Sequence, residues 1–306
     1  MRNFRSKILV MDIKSAVALF VIRSLALLNL PLARTLGGGF GRLMARTNSS
    51  MYRVTLKNIQ LCFPEMLPQL QRRLALESVQ ETSKTMAEAG LAWAGTDEKF
   101  QRNARQIISV KNAHLLEEAV SAEKGVLLLS MHLGNWEWLT SYLPQRCDLM
   151  GLYKMAKMPG LEKAMLEARL SCGVQLVSGT RDGVEKFTQH YVDKKACIIV
   201  PDQEPSQKSG VWSEFFGMPA LTPKFIHSLI QKNPEGVVLN SYVLRVPGGF
   251  EMVFEEVEPE IYSPDLVTSA GAMNKGFEKC IRRHPSQYQW EYKRFKKNKE
   301  GFYRGL

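Results

Sequence analysis

Apolar residues fall along this chain in two rhythms. Over Ser50–Cys62 and Gln69–Ala94 they recur every three to four positions, with Leu70, Leu74, Val79 and Met86 among them and Pro64 and Pro68 breaking the chain between the stretches. That spacing predicts amphipathic helices. From Lys111 onward, short apolar runs alternate with helical stretches. The expected order is a helix over Ala113–Ser121, a strand at Val126–Leu129 and a strand near Asp148–Tyr153. Helices over Leu161–Ser171 and Asp182–Val192 follow, then a strand at Ala196–Val200. Val237–Val246 and Phe250–Val257 flank Pro247-Gly248-Gly249 and read as a hairpin, with a closing helix over Pro264–His284. Such alternation predicts an α/β fold with a mostly parallel central sheet flanked by helices.

The N-terminal part has a third texture. Ala16–Leu32 is strongly apolar, interrupted by Arg23 and flanked by Lys14 and Arg34. It is shorter than the roughly 20 unbroken apolar residues of a spanning helix. Leu36-Gly37-Gly38-Gly39 follows it without the small-residue pattern of a signal cleavage site. The expectation is a membrane-associated helical segment over residues 1–45, tilted or half inserted, ahead of an α/β domain over residues 46–306.

Charge narrows the partners. The 306 residues carry 41 Lys and Arg against 30 Asp and Glu, a formal net charge of +11. An anionic partner is implied. No nucleic-acid motif is present, and basic residues gather at the ends: Arg2, Arg5 and Lys7, then Lys293, Arg294, Lys296, Lys297 and Lys299. Basic ends beside apolar surface suit a lipid headgroup layer. Cys62, Cys147, Cys172, Cys197 and Cys280 are scattered and odd in number, so the expectation is reduced thiols on the cytosolic side and neither a disulfide framework nor a zinc module.

The candidate chemistry lies at Gly125–Trp138. A strand buried on both faces ends at His132, and Gly134-Asn135 turns the chain toward a helix starting near Trp136. Ligands of open α/β sheets bind at the carboxyl ends of strands. The short loop from His132 to Glu137 is expected to return the carboxylate to the imidazole, fixing its tautomer and leaving the other nitrogen free to accept a proton from a hydroxyl. The alternative is a core histidine and a first-turn helix acid. No H-E-x-x-H or nearby second histidine points to a metal.

Several segments together resemble the bacterial lipid A biosynthesis acyltransferases, the late lauroyl/myristoyl transferases. Asn58 with Cys62-Phe63-Pro64-Glu65 resembles the N-terminal signature, and His132-Leu133-Gly134-Asn135-Trp136-Glu137 the H-x-x-x-x-D/E motif. Asp202-Gln203 follows its strand, Phe215-Phe216-Gly217 with Pro219-Ala220 and Thr222 resembles the next block, and Pro285, Gln287-Tyr288, Trp290 and Arg294-Phe295-Lys296 the last. Lys296-Lys297-Asn298-Lys299 departs from the Thr/Arg-Pro common there.

The resemblance implies a glycerol-phosphate-acyltransferase-like fold at the cytoplasmic face of a bacterial inner membrane. It implies transfer of a fatty acyl chain from an acyl carrier protein thioester to a hydroxyl of a lipid A precursor, without a cofactor. His132 is then the general base and Glu137 its orienting carboxylate. Arg169 matches a family arginine able to bind a phosphate or the oxyanion, against a plain role at its helix's C-terminus. Asp202 is expected to orient Arg169 or His132, against an ordinary turn aspartate. Phe215, Phe216 and Trp212 are candidates for an acyl tunnel, against core packing, and Trp136 is similar. A same-fold transferase acting on another glycolipid or a lysophospholipid, using acyl-CoA, fits the same motif. A non-catalytic lipid-binding protein fits less well, because such a protein is free to lose His132 or Glu137.

Overall fold

The computed structural model describes residues 13–93, 104–155 and 159–306. The basic positions Arg2, Arg5 and Lys7 lie outside them. Four helices come first: α1 (Ile13–Leu25), α2 (Leu30–Arg46), α3 (Ser50–Cys62) and α4 (Pro68–Ala92). The α/β part follows as β1 (Ile107–Lys111), α5 (Ala113–Ser121), β2 (Val126–Gly134), α6 (Leu139–Tyr142), β3 (Leu149–Tyr153), α7 (Pro159–Ser171), β4 (Gln175–Ser178), α8 (Arg181–Val192) and β5 (Ala196–Ile199). A small hairpin of β6 (Gly210–Phe215) and β7 (Met218–Pro223) leads to α9 (Phe225–Lys232), β8 (Val237–Val246), β9 (Gly249–Glu256) and α10 (Leu266–Arg283).

The seven-stranded sheet has the order β1-β9-β8-β2-β5-β3-β4. The five strands from β8 to β4 are mutually parallel, whereas β9 runs antiparallel to β8, and β1 runs parallel to β9. Strand β2 is central, and its period-2 pattern feeds two cores. Leu127, Leu129, Met131 and Leu133 join one buried cluster, Val126 and Leu128 the other. Both faces are covered, which is why the run reads as continuously apolar rather than alternating.

The apolar N-terminal stretch is two helices rather than one. Asn29 caps α2 by accepting from the Leu32 N–H at 3.0 Å, and Pro31 sits in the first turn, where it needs no N–H partner. Among the described residues no helix is long and apolar enough to cross a membrane. Helix α2 packs on α4 at backbone contact distance: a Cβ on Gly37 would stand 2.7 Å from the Lys84 Cα, and one on Gly41 2.5 Å from the Gln80 Cα.

A buried ionic cluster ties these layers together. The Glu88 carboxylate accepts from Arg34 Nε at 2.7 Å, Arg245 Nε and Nη2 at 2.8 Å each, and Asn135 Nδ2 at 2.9 Å. Arg245 also donates to Glu81 Oε2 at 2.6 Å and to Thr85 Oγ1 at 2.7 Å. Arg34 reaches the carbonyls of Val246 and Gly249 at 2.8 and 2.7 Å. Burial alone would push the Glu88 pKa up. The two guanidiniums, Arg245 foremost, hold it below the usual carboxylate range.

Breaking a buried pair strands its partner, so Glu88→Ala should lower unfolding free energy by about 3–5 kcal/mol. Glu77→Ala, which removes an exposed pair with Arg73, should cost less than about 1 kcal/mol. Denaturant unfolding of both variants checks the contrast.

Candidate active site

The carboxyl ends of β2 and β5 build the centre of the site. The two strands pair in parallel, Leu129 opposite Ile199, so the residues just beyond that register meet. His132 occupies the end of β2, and Asp202 the loop after β5. The His132 backbone N–H donates to Asp202 Oδ2 at 3.0 Å, and Nδ1 lies 2.7 Å from Oδ1. A carboxylate only accepts, so the ring's proton belongs on Nδ1 and Nε2 keeps its lone pair. The Gln203 side-chain nitrogen stands 3.3 Å from Nε2, and the edge of Trp136 meets the ring at 4.6 Å between centroids. The ring is 18% exposed and Asp202 2%.

The sequence points to Glu137 as the orienting carboxylate and to Asp202 as a partner of Arg169 or His132; in the structure Asp202 holds the His132 ring and Glu137 pairs with Arg169. The reason lies in the turn. Gly134 has φ +66°, and a Cβ there would fall 1.9 Å from the Val243 carbonyl oxygen, so only glycine fits. Asn135 is pinned by Glu88 and accepts from the Glu137 N–H at 3.3 Å. A 3₁₀ turn over Trp136–Trp138 then aims Glu137 at α7. Arg169 grips it with Nε to Oε2 at 3.1 Å and Nη2 to Oε1 at 2.5 Å. The planar guanidinium fork matches a carboxylate, so Arg169 neither simply faces its helix's C-terminus nor spends all its donors on substrate. The Trp93 indole N–H lies beside the same carboxylate, short of a well-formed hydrogen bond.

Electrostatics follow the pairing. Burial alone would lower the His132 pKa, yet the charge and hydrogen bond of Asp202 outweigh it and raise the ring above its ordinary value. Burial pushes Glu137 up, and Arg169 more than reverses that. Asp202 is likewise pushed up by burial and pulled below its usual range by His132.

Phe215 and Phe216 are buried, 1% and 6% exposed, and pack among the aromatics of the core. Phe216 packs edge-on against Phe63 and Trp290 at 5.2 and 5.7 Å, because the tight turn between β6 and β7 folds that hairpin onto α3 and the C-terminal segment. Trp212 is 42% exposed. The basic C-terminus is also packed: Phe295 is buried, the Tyr303 hydroxyl donates to Asn58 Oδ1 at 2.5 Å, and Arg294 is buried against the Leu221 carbonyl at 2.8 Å.

Comparison with known proteins agrees with the motif. Residues 2–297 match the family described as Bacterial lipid A biosynthesis acyltransferase. The chain belongs to this family. It is 24% identical to the Lipid A biosynthesis lauroyltransferase of Escherichia coli (strain K12), covering 89% of this chain and 87% of the relative. It is 25% identical to a Lipid A biosynthesis acyltransferase of Haemophilus influenzae, covering 90% and 87%. A Lipid A biosynthesis palmitoleoyltransferase of Escherichia coli is 22% identical over 79% of this chain and 78% of the relative.

The residues that carry the family resemblance divide physically in two. His132, Glu137 and Asp202 stand around the carboxyl ends of β2 and β5. Asn58, Phe63, Phe216, Trp290 and Arg294 form the knot behind them, where the Asn58 amide donates to the carbonyls of Trp290 and Tyr292 at 2.6 and 2.8 Å. Gln203, Trp93 and Tyr288, whose hydroxyl faces Asp202, complete the surroundings of the ionised groups. Gln203 and Tyr288 stand within recognised blocks. Trp93 has no sequence signal, since only folding brings the end of α4 to Glu137.

Asp202→Asn should lower kcat/KM by about 10²–10⁴ and move its acidic limb to lower pH, because the carboxylate is what raises the ring's pKa. Arg169→Lys keeps the charge but loses the fork, and should cost activity as heavily as Glu137→Gln with little change in melting temperature. A lysine variant with normal turnover would reduce Arg169 to a structural cation.

Proposed function

We propose that this protein carries out secondary acylation in lipid A biosynthesis, moving a fatty acyl chain from an acyl carrier protein thioester to a hydroxyl of the lipid A precursor. The observation that carries the reading is the His132 ring, fixed at Nδ1 by Asp202, with an unprotonated Nε2 met by the Gln203 amide, beside the Arg169–Glu137 pair. A thioester is already activated, so no covalent enzyme intermediate is needed. His132 Nε2 takes the acceptor hydroxyl's proton as the oxygen attacks the thioester carbonyl. The tetrahedral intermediate collapses with cleavage of the C–S bond, and the imidazolium returns its proton to the departing thiolate. The Gln203 amide, already on Nε2, marks where the hydroxyl binds. Arg169 keeps Nη1 outside its pair with Glu137, available to a substrate phosphate or to the oxyanion.

Apolar surface supports lipid substrates at a membrane. Val17, Phe20, Leu27, Leu36, Phe40 and Leu43 of the first two helices and the turn joining them are exposed. Between α1, α2 and α4 lies an apolar cavity of about 550 Å³, lined by Val21, Leu25, Leu36, Phe40, Met86 and Trp93. Its Trp93 wall stands against Glu137, so a hydrocarbon chain there approaches the site from the side that faces the bilayer in this reading. The net charge of +11 suits both an acidic carrier protein and a phosphorylated acceptor.

The deciding experiment incubates purified protein with acyl carrier protein thioesters, acyl-CoA, lipid A precursors and lysophospholipids, and locates any new ester by mass spectrometry. Acylated lipid A precursor from the carrier thioester is expected, with His132→Ala at least about 100-fold slower. Acyl transfer only to lysophospholipid, or only from acyl-CoA, would contradict the proposed acceptor or donor.

A further inference from the structure

His132 is surrounded by three carboxyl groups, and only two have been accounted for. Asp202 is bound to Nδ1, and Glu137 is neutralised by Arg169. The third is Glu291, on the segment that closes over the end of β2. The Gln289 N–H donates to the His132 carbonyl at 2.9 Å, and Leu133 bridges to Tyr288, so this segment is fixed to the strand that carries the ring. Glu291 follows two residues later, part-buried, and its Oε2 accepts from Thr82 Oγ1 of α4 at 3.1 Å.

Among the described residues Glu291 forms no ion pair with Lys or Arg. The other acids on the facing side of α4 are committed elsewhere: Glu81 binds Arg245 and Lys84, and Glu88 binds Arg245 and Arg34. Thr82 of α4 holds the Glu291 carboxyl, Gln289 precedes it on its own segment, and the Gln289 N–H bond to the His132 carbonyl keeps that segment against β2, so ring and carboxyl bias each other's charge.

We infer that Glu291 is a positioning residue of the transfer reaction, held by Thr82 beside His132 to supply counter-charge to the imidazolium formed when the ring takes the acceptor's proton. The inference rests on His132 being the base. Burial raises the Glu291 pKa to about 7, so this carboxyl loses its proton near neutral pH, and its charge and that of His132 bias each other. An ionised Glu291 favours the charged ring and so raises its basicity. The group needs no contact with substrate to do this. It differs from Asp202, which fixes the tautomer, because Glu291 shapes only the charge.

The test is the pH dependence of kcat/KM for Glu291→Gln and Glu291→Ser, with melting temperature recorded for each. Both remove the charge, the first with the shape kept and the second with the site opened to water. The acidic limb should move to lower pH by about half a unit or more, and the plateau kcat should fall several-fold as the base weakens. A folded variant of either kind whose limb coincides with that of the wild type overturns the inference, whatever its activity, since a purely structural role lowers rate without moving the limb. A wild-type enzyme with no acidic limb at all overturns the assignment of His132 as base instead.

Discussion

The Glu88 carboxylate is the constraint on which the site depends. It has no exposed surface, and four N–H groups from α2, the β2 turn and β8 converge on it. An ion buried this deeply is tolerated only when its lone pairs are filled. Filling them fixes where each donor's element lies. Asn135 is one of the donors, and Thr85, one turn earlier on α4, donates to the Gly134 carbonyl at 3.1 Å. The turn between His132 and Glu137 is therefore fastened from outside the motif. Its two catalytic-looking residues face different partners because that turn cannot relax.

The site that results divides its charges by role. Asp202 and His132 share one proton axis, and Arg169 and Glu137 form a closed pair beside it. Arg169 offsets the Glu137 charge, which still helps raise the ring's pKa, while Asp202 holds the tautomer. The guanidinium remains next to where negative charge develops on the reacting carbonyl in the proposed reaction.

Much of the fold was legible in sequence. The α3 limits, Ser50–Cys62, and the hairpin strand β8, Val237–Val246, follow directly from periodicity and from the Pro247-Gly248-Gly249 turn. Strands β1, β4, β6 and β7 give no comparable signal; they are short and lie at the sheet's edges or in the small hairpin. Their residues carry too few apolar positions for a period to emerge. The break between α1 and α2 is written in Asn29-Leu30-Pro31, inside a stretch whose largely apolar composition otherwise reads as one segment. For the site, all four polar residues, His132, Glu137, Arg169 and Asp202, gather at one edge. Asp202 as partner of His132 is one of the two options the sequence leaves open, whereas the Glu137–Arg169 pair is not legible, because a five-residue spacing constrains how far Glu137 reaches but not which way Gly134 and Asn135 send it. The Phe215 and Phe216 pair shows the converse: aromatics beside a glycine turn look alike whether they line a cleft or fill a core.

The central claim is that Asp202 holds the His132 proton on Nδ1 and leaves Nε2 free. Nitrogen-15 NMR of the detergent-solubilised protein, labelled at its five histidines and assigned with a His132 variant, reads this directly. Above the ring's pKa the expected result is a protonated, pyrrole-type Nδ1 and an unprotonated, pyridine-type Nε2 for His132, with that difference lost in Asp202→Asn and kept in Glu137→Gln. The opposite tautomer, or one that changes with Glu137 rather than Asp202, would contradict the account.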